Sequence, residues 1–241
     1  MKKRVRQVVG LLSAGSADGY ARLIETLQSA EGTVRHDAIQ SIVDSGEQCL
    51  PFLTQAMERG DLELVSSLLW ELQKYPRPWA AGPLVIALRS EDLDNRRMAV
   101  TALAHLDDPA GAAPMTEALN EELGNALLRE DNGGTVPILW VAEYLGKFGD
   151  AGCLPPLLRS ARTGVYATCA LAAMEQVLRR DARGVPDELL HELAELVPMQ
   201  DFKFQYVNDD PNDLSTSLGP EGWTDPGALK RLAQAELARR G

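Results

Sequence analysis

The chain has 241 residues, and its 36 Leu and 30 Ala far outnumber its 15 Val and 5 Ile. That balance favours helix, because Leu and Ala lose little on entering one while β-branched residues lose side-chain freedom. The formal charge is −11, from 24 Lys and Arg against 35 Asp and Glu, which disfavours nucleic acid and anionic membrane surfaces and favours a basic or mixed-charge protein partner.

The start runs against the net charge, with Lys2, Lys3, Arg4 and Arg6. The apolar run behind them, 8–12, falls short of the ~7–15 residues of a secretory leader. Helices are expected over 4–14 and 18–29, then over 34–43 and 52–57, with Gly60 as the C-terminal cap. A third pair is expected over 62–73 and 84–88, and a fourth over 96–106 and 115–119. The segment 120–134 then reads as an insertion containing the turn signal Asp131-Asn132-Gly133-Gly134. A fifth pair is expected over 136–148 and 157–161, and a sixth over 166–179 and 189–196. Beyond Pro198 the helical pattern stops. Phe202, Phe204 and Tyr206 alternate with polar residues as in a short strand. Residues 208–213 read as turn and 215–225 as a loop carrying Trp223. A final helix is expected over 228–240, with Asp225 as N-cap and Pro226 in its first turn.

The second helix of each pair opens near a proline: Pro51, Pro83, Pro114, Pro155 and Pro186, with Tyr20 in the same register. Proline suits that position because its missing N–H has no partner there anyway. The steps are close to 31 residues, except the one that spans the insertion. A pair of this length cannot bury its own apolar stripe, whereas stacked pairs share a continuous core.

These residues resemble a known family. Val34-Arg35-x-x-Ala38 resembles the start of the first helix in short HEAT-like repeats of the PBS-lyase type. Leu145-Gly146-Lys147-Phe148-Gly149-Asp150, followed by Pro155-x-Leu157, is similar to the turn and second helix of that family. Leu103 to Asp108 before Pro114 is a looser copy, and the turn Tyr75-Pro76-Arg77-Pro78-Trp79 departs most. The resemblance covers residues 5–197. It implies an all-α, right-handed α-solenoid of about six HEAT-like helical pairs, residues 1–197; the residues beyond read as a C-terminal extension, 198–241, whose Phe202, Phe204, Tyr206 and Trp223 either pack on the last pair or form an exposed adhesive segment. The resemblance fixes no function, since one fold serves many.

Chemistry is sparse. His36, His105 and His191 fall in different pairs. His191-Glu192-Leu193-Ala194-Glu195 lacks the second histidine of a zinc helix. Related HEAT-repeat hydroxylases hold two irons through several His-Glu pairs, and this chain has one. Neither a phosphate loop nor a nucleotide-binding glycine fingerprint occurs. Cys49, Cys153 and Cys169 lack metal or redox spacing, and a reducing, cytoplasmic compartment is expected; Cys49 and Cys153, each two residues before the start of a second helix, read as small buried residues. Glu121-Glu122, Asp107-Asp108 and Asp209-Asp210 read as solvated acidic surface. No metal and no cofactor is expected. The basic channel of HEAT-like DNA glycosylases is disfavoured by the interspersed acids.

The expected function is non-enzymatic protein binding, as a scaffold or adaptor, through the concave row of second helices and the adjoining turns. Gln55, Glu58, Arg59, Arg89, Glu117, Glu121, Arg159 and Arg162 are the candidates on that row, with Trp79 in the turn beside it. Trp79 either contacts the partner or folds back between two pairs. A bacterial immunity protein neutralising a basic toxin is one alternative, and a lyase-type enzyme or accessory subunit is another. The sequence sets neither the partner nor the oligomeric state.

Overall fold

A computed structural model describes residues 17–30, 32–106, 108–128, 138–163, 167–196 and 226–241. Among the described residues there are twelve α-helices and no strand. Unit 1, up to Pro114, holds α1 (Ala17–Gln28), α2 (Gly32–Val43), α3 (Leu50–Arg59), α4 (Leu62–Lys74), α5 (Ala81–Ala87) and α6 (Leu93–Leu106). Unit 2, from Met115, holds nearly all of α7 (Ala112–Leu128), then α8 (Ile138–Phe148), α9 (Leu154–Thr163), α10 (Ala167–Asp181), α11 (Asp187–Ala194) and α12 (Pro226–Arg240).

The proline ladder marks helix starts. α3 and α9 begin one residue before Pro51 and Pro155, α5 and α7 two before Pro83 and Pro114, and α11 one after Pro186. α1 begins three residues ahead of Tyr20. Short 3-10 turns, Gly46–Cys49, Pro78–Ala80, Pro109–Gly111 and Ala151–Cys153, lead directly into α3, α5, α7 and α9. Asp108 and Asp150 hold two of these turns by accepting from the backbone N–H of Ala110 and Gly152, each at 2.8 Å. Asp61 and Asp92 cap the starts of α4 and α6 in the same manner.

The structure corrects the sequence in two places. The second helix expected over 115–119 does not stop there: α7 runs on through 120–128, the first part of the expected insertion, and reaches 17 residues, against 10 in α3. Helix-favouring Glu, Leu and Ala dominate that stretch, so the extra length is absorbed as added helical turns. Glu122 is also not solvated surface. It is 3% exposed, beside the fully buried Leu123, on the inner stripe of α7. The expected helix over 4–14, the turn at 131–134, the strand over 202–206, the turn at 208–213, the loop with Trp223, and Asp107, Asp209, Asp210 and Asp225 lie outside the described residues.

In unit 1, α2, α4 and α6 pack in succession as a row of first helices, and α1, α3 and α5 as a row of second helices. The core lies between the rows: Leu23, Ile39, Phe52, Leu53, Leu68 and Leu84 are fully buried. Burying each such side chain stabilises by about 1.5–3 kcal/mol. Tyr20 of α1 meets Phe52 of α3 edge to face, at 6.4 Å between centroids.

In unit 2, α8, α10 and α12 form the row of first helices, while α9 packs on α10 and α11 on α12. The motif 145–150 explains the spacing. A Cβ on Gly146 would lie 3.1 Å from the Cα of Ala173, so glycine lets α8 approach α10 closely. A Cβ on Gly149 would lie 2.5 Å from both Leu145 O and Cys153 Sγ. Arg180, near the end of α10, donates to Gly146 O at 2.8 Å, to Lys147 O at 2.7 Å and to Gly149 O. These belong to the last turn of α8 and the residue after it, where helix carbonyls lack intrahelical partners.

α12 repeats this arrangement on α10. Arg240 donates to Ala182 O and Val185 O at 2.8 Å and to Arg183 O at 2.9 Å, and pairs with Asp187. Glu236, 9% exposed, accepts from Arg239 and Arg240. The final helix therefore occupies the position of a further first helix. Leu229 and Ala233 face inward, while Arg231, Gln234 and Arg239 are exposed.

Two outcomes are expected. Gly149→Ala forces a Cβ against a backbone carbonyl and should cost ~1–3 kcal/mol in urea denaturation. The donors from Arg239 and then Arg240 lower the Glu236 carboxyl to about 2. Its folded value lies below the unfolded one, so its stabilisation is complete above about pH 4.5 and is lost as pH falls towards 2. Glu236→Gln should flatten that acid limb in thermal unfolding measured across the same range.

Candidate functional site

The second-helix candidates fall into two groups, one in each unit. In unit 1, Glu58 and Arg59 are exposed at the end of α3, and Gln55 is half-buried one turn earlier. Arg89 lies two residues beyond α5, in the following turn, and is exposed. Trp79 sits in the 3-10 turn Pro78–Ala80 and is half-buried. In unit 2, Glu117 and Glu121 are exposed on α7, one turn apart, and Arg159 and Arg162 are exposed on α9. Arg162 pairs with Glu192 of α11 at 2.9 Å, so it is already engaged between second helices.

A second surface lies on the opposite row of unit 1. A groove of about 420 Å³ is lined by Gly32, Arg35, His36 and Ile39 of α2, by Glu63, Ser66, Ser67 and Trp70 of α4, and by Met98 of α6. Among the described residues the large exposed apolar side chains are Leu62, Trp70 and Tyr75, at 56%, 60% and 42%. All three lie on α4 or immediately after it. Leu62, Ser66 and Trp70 are spaced by four residues and share one stripe, while Leu64, Leu68 and Leu72 fill the buried face.

Polar contacts hold this groove in shape. Arg35 donates from Nε to Ala30 O at 2.8 Å and from Nη2 to Gln28 O at 3.0 Å, tying the start of α2 to the end of α1. Its Nη1 pairs with Glu63 Oε1 at 2.5 Å. Arg96 makes the equivalent contacts to Ser90 O and Glu91 O two repeats later. Ser66 Oγ lies 2.6 Å from Oδ1 of the fully buried Asn95 of α6, joining α4 to its neighbour. Ser67 Oγ donates to Glu63 O, so its hydroxyl oxygen is left to accept. Arg77 pairs with Asp44 at 3.1 Å, between the ends of α4 and α2.

Sequence reasoning missed Trp70. The run 62–73 reads as an amphipathic core helix, and a tryptophan within it reads as core. Its angular offset from Leu64, Leu68 and Leu72 is the signal that could have placed it outside.

Burial disfavours the thiolate form at all three cysteines. Cys49 and Cys153 are fully buried ahead of α3 and α9, and burial pushes their thiols up to about 11 and about 12. Burial also raises the Cys169 thiol. Their thiolate fractions at neutral pH are therefore very small. Among the described residues no three His, Cys, Asp or Glu side chains group as metal ligands. His36, His105 and His191 are exposed on α2, α6 and α11. Among the described residues no helix is long and apolar enough to cross a membrane.

No family model and no curated protein matches the chain.

The two tryptophans of unit 1 should separate in urea denaturation. Trp70→Ala removes an exposed ring and should change stability by less than ~0.5 kcal/mol. Trp79→Ala removes a half-buried ring and should cost ~2 kcal/mol. Equal losses would show that Trp70 is packed in solution.

Proposed function

We propose that the protein is a non-enzymatic protein-binding module, a scaffold built of short HEAT-like repeats wound as a right-handed solenoid and working in the cytoplasm. The observation that supports this reading is the concentration of exposed Leu62, Trp70 and Tyr75 on α4. An apolar stripe of this kind marks an interaction surface, and tryptophan is the side chain most enriched where binding energy concentrates. The frame beneath the stripe is held by Arg35, Asn95 and Ser66, so a partner would meet a surface that needs little ordering. The repeat reading is supported by the regular helix starts and by the succession of first helices within each unit. Fully buried thiols at Cys49 and Cys153 suit a reducing compartment. The net charge of −11 favours a basic or mixed-charge partner.

Photo-crosslinking in the native host tests this. Benzoylphenylalanine at position 62, on the same exposed stripe as Trp70, and separately at 59 and 121, should trap a discrete protein identified by mass spectrometry. Trapping at 62 places the partner on the first-helix row of unit 1, and trapping at 59 or 121 places it on the second helices. No adduct at any of the three positions, from protein expressed at native level, would overturn the reading.

A further inference from the structure

The ion pair at the groove is asymmetric. Arg35 has 10% of its side-chain surface exposed and Glu63 has 76%. Three arginine nitrogens are already committed, to Ala30, Gln28 and Glu63. The cation is spent inside the fold, and the group turned to solvent is the carboxylate. Glu63 uses Oε1 for Arg35, which leaves Oε2 to accept from another donor. Trp70 stands exposed on the same helix, and Ile39 and Met98 supply apolar lining.

Three kinds of side chain can be compared in this groove. An anion meets the exposed carboxylate and finds Arg35 occupied. An apolar side chain covers the indole but strips water from Glu63 without replacing its hydrogen bonds. A cation with an apolar stem satisfies both: the stem lies on the half-buried Met98, the charge faces Glu63, and the π-face of tryptophan attracts it. Arginine suits this better than lysine, because its planar and weakly hydrated guanidinium stacks on an indole while its edge N–H groups reach a carboxylate.

We infer that the groove between α2 and α4 binds an arginine side chain of a basic partner peptide, with the guanidinium stacked on Trp70 and hydrogen-bonded to Glu63. This rests on the protein-binding reading above and names the chemistry of its partner.

The probe is the capped peptide Ac-Gly-Arg-Gly-Arg-Gly-NH2, titrated into the full chain and followed at the indole N–H resonance of Trp70. A citrulline version keeps the shape and removes the charge, and a lysine version keeps the charge and removes the plane. The Trp70 resonance should move saturably with the arginine peptide, less with lysine and hardly with citrulline, and the response should weaken in salt. With Kd measured by isothermal titration calorimetry, which does not depend on the indole, Trp70→Ala and Glu63→Gln should each raise it roughly tenfold, while Glu188→Gln, an exposed acid on α11, should leave it unchanged. Because Glu63→Gln also releases Arg35, Trp70→Ala at an exposed position is the variant that keeps the test clear of misfolding. Equal binding of the citrulline peptide, a Trp70 resonance that stays still, or a Kd within about twofold of wild type in Trp70→Ala would overturn the inference. A native protein trapped by benzoylphenylalanine at position 62, with Trp70 intact, whose crosslinking is not suppressed by excess arginine peptide added before irradiation would also overturn it, and would leave the module reading standing. Peptide binding at Trp70 without any crosslinked native protein would do the reverse.

Discussion

Successive helices in this protein are fastened by guanidinium groups spent on carbonyl oxygens. Helix ends leave backbone groups unbonded, and in a stack of short helices those ends recur every thirty or so residues. Arg180 satisfies the end of α8 from α10, and Arg240 holds the turn that follows α10 from α12. Arg35 and Arg96 do the related task at helix starts, reaching back to the close of the preceding second helix. Each contact is charge-assisted and bridges neighbouring elements, so it fixes the offset of one helix against the next as well as adding stability. Where the fastening differs, the chemistry changes but the place does not: Asp44 receives Arg77 between the ends of α2 and α4.

The same economy shapes the groove. A guanidinium that is locked by two carbonyls has little left to offer solvent, so its carboxylate partner becomes the outward-facing charge. The Arg35–Glu63 pair therefore serves two ends. Inward it closes the corner between α1 and α2, and outward it sets the sign of the surface beside Trp70. In a protein of net charge −11, this local sign agrees with the long-range field.

The helix ladder was legible because its signals are local and steric. Pro51, Pro83, Pro114, Pro155 and Pro186 fit only the first turn of a helix or the cap before it, and that constraint survives packing. The buried thiols of Cys49 and Cys153 were legible from the same register. The length of α7 was not, because the strong turn signal at 131–134 drew the boundary too early. Burial of Glu122 was hidden for a related reason: adjacent acids read as surface until the helix carrying them is known to extend. The groove was least legible. Arg35 stood out as part of a family pattern, but its pairing with Glu63 joins two helices 28 residues apart in sequence. Trp70 has the composition of a core residue and the angular position of a surface one, and only the second decides its exposure.

The carbonyl contacts of Arg240 also bear on the order in which the chain assembles. Arg180 reaches back 31 to 34 residues, a distance typical of neighbouring repeats, whereas Arg240 reaches back 55 to 58. During synthesis the end of α10 emerges early and waits for α12 to supply its donors and its apolar cover. Contacts of larger sequence separation close more slowly, and a nascent chain exposes whatever its later segments will bury. Unit 1, whose helices pack mainly on partners within the next pair, can be settled while α10 and α11 still present an open side. The stretch of translation between α11 and α12 is then the interval in which the inner sides of α10 and α11 have been made but not yet covered.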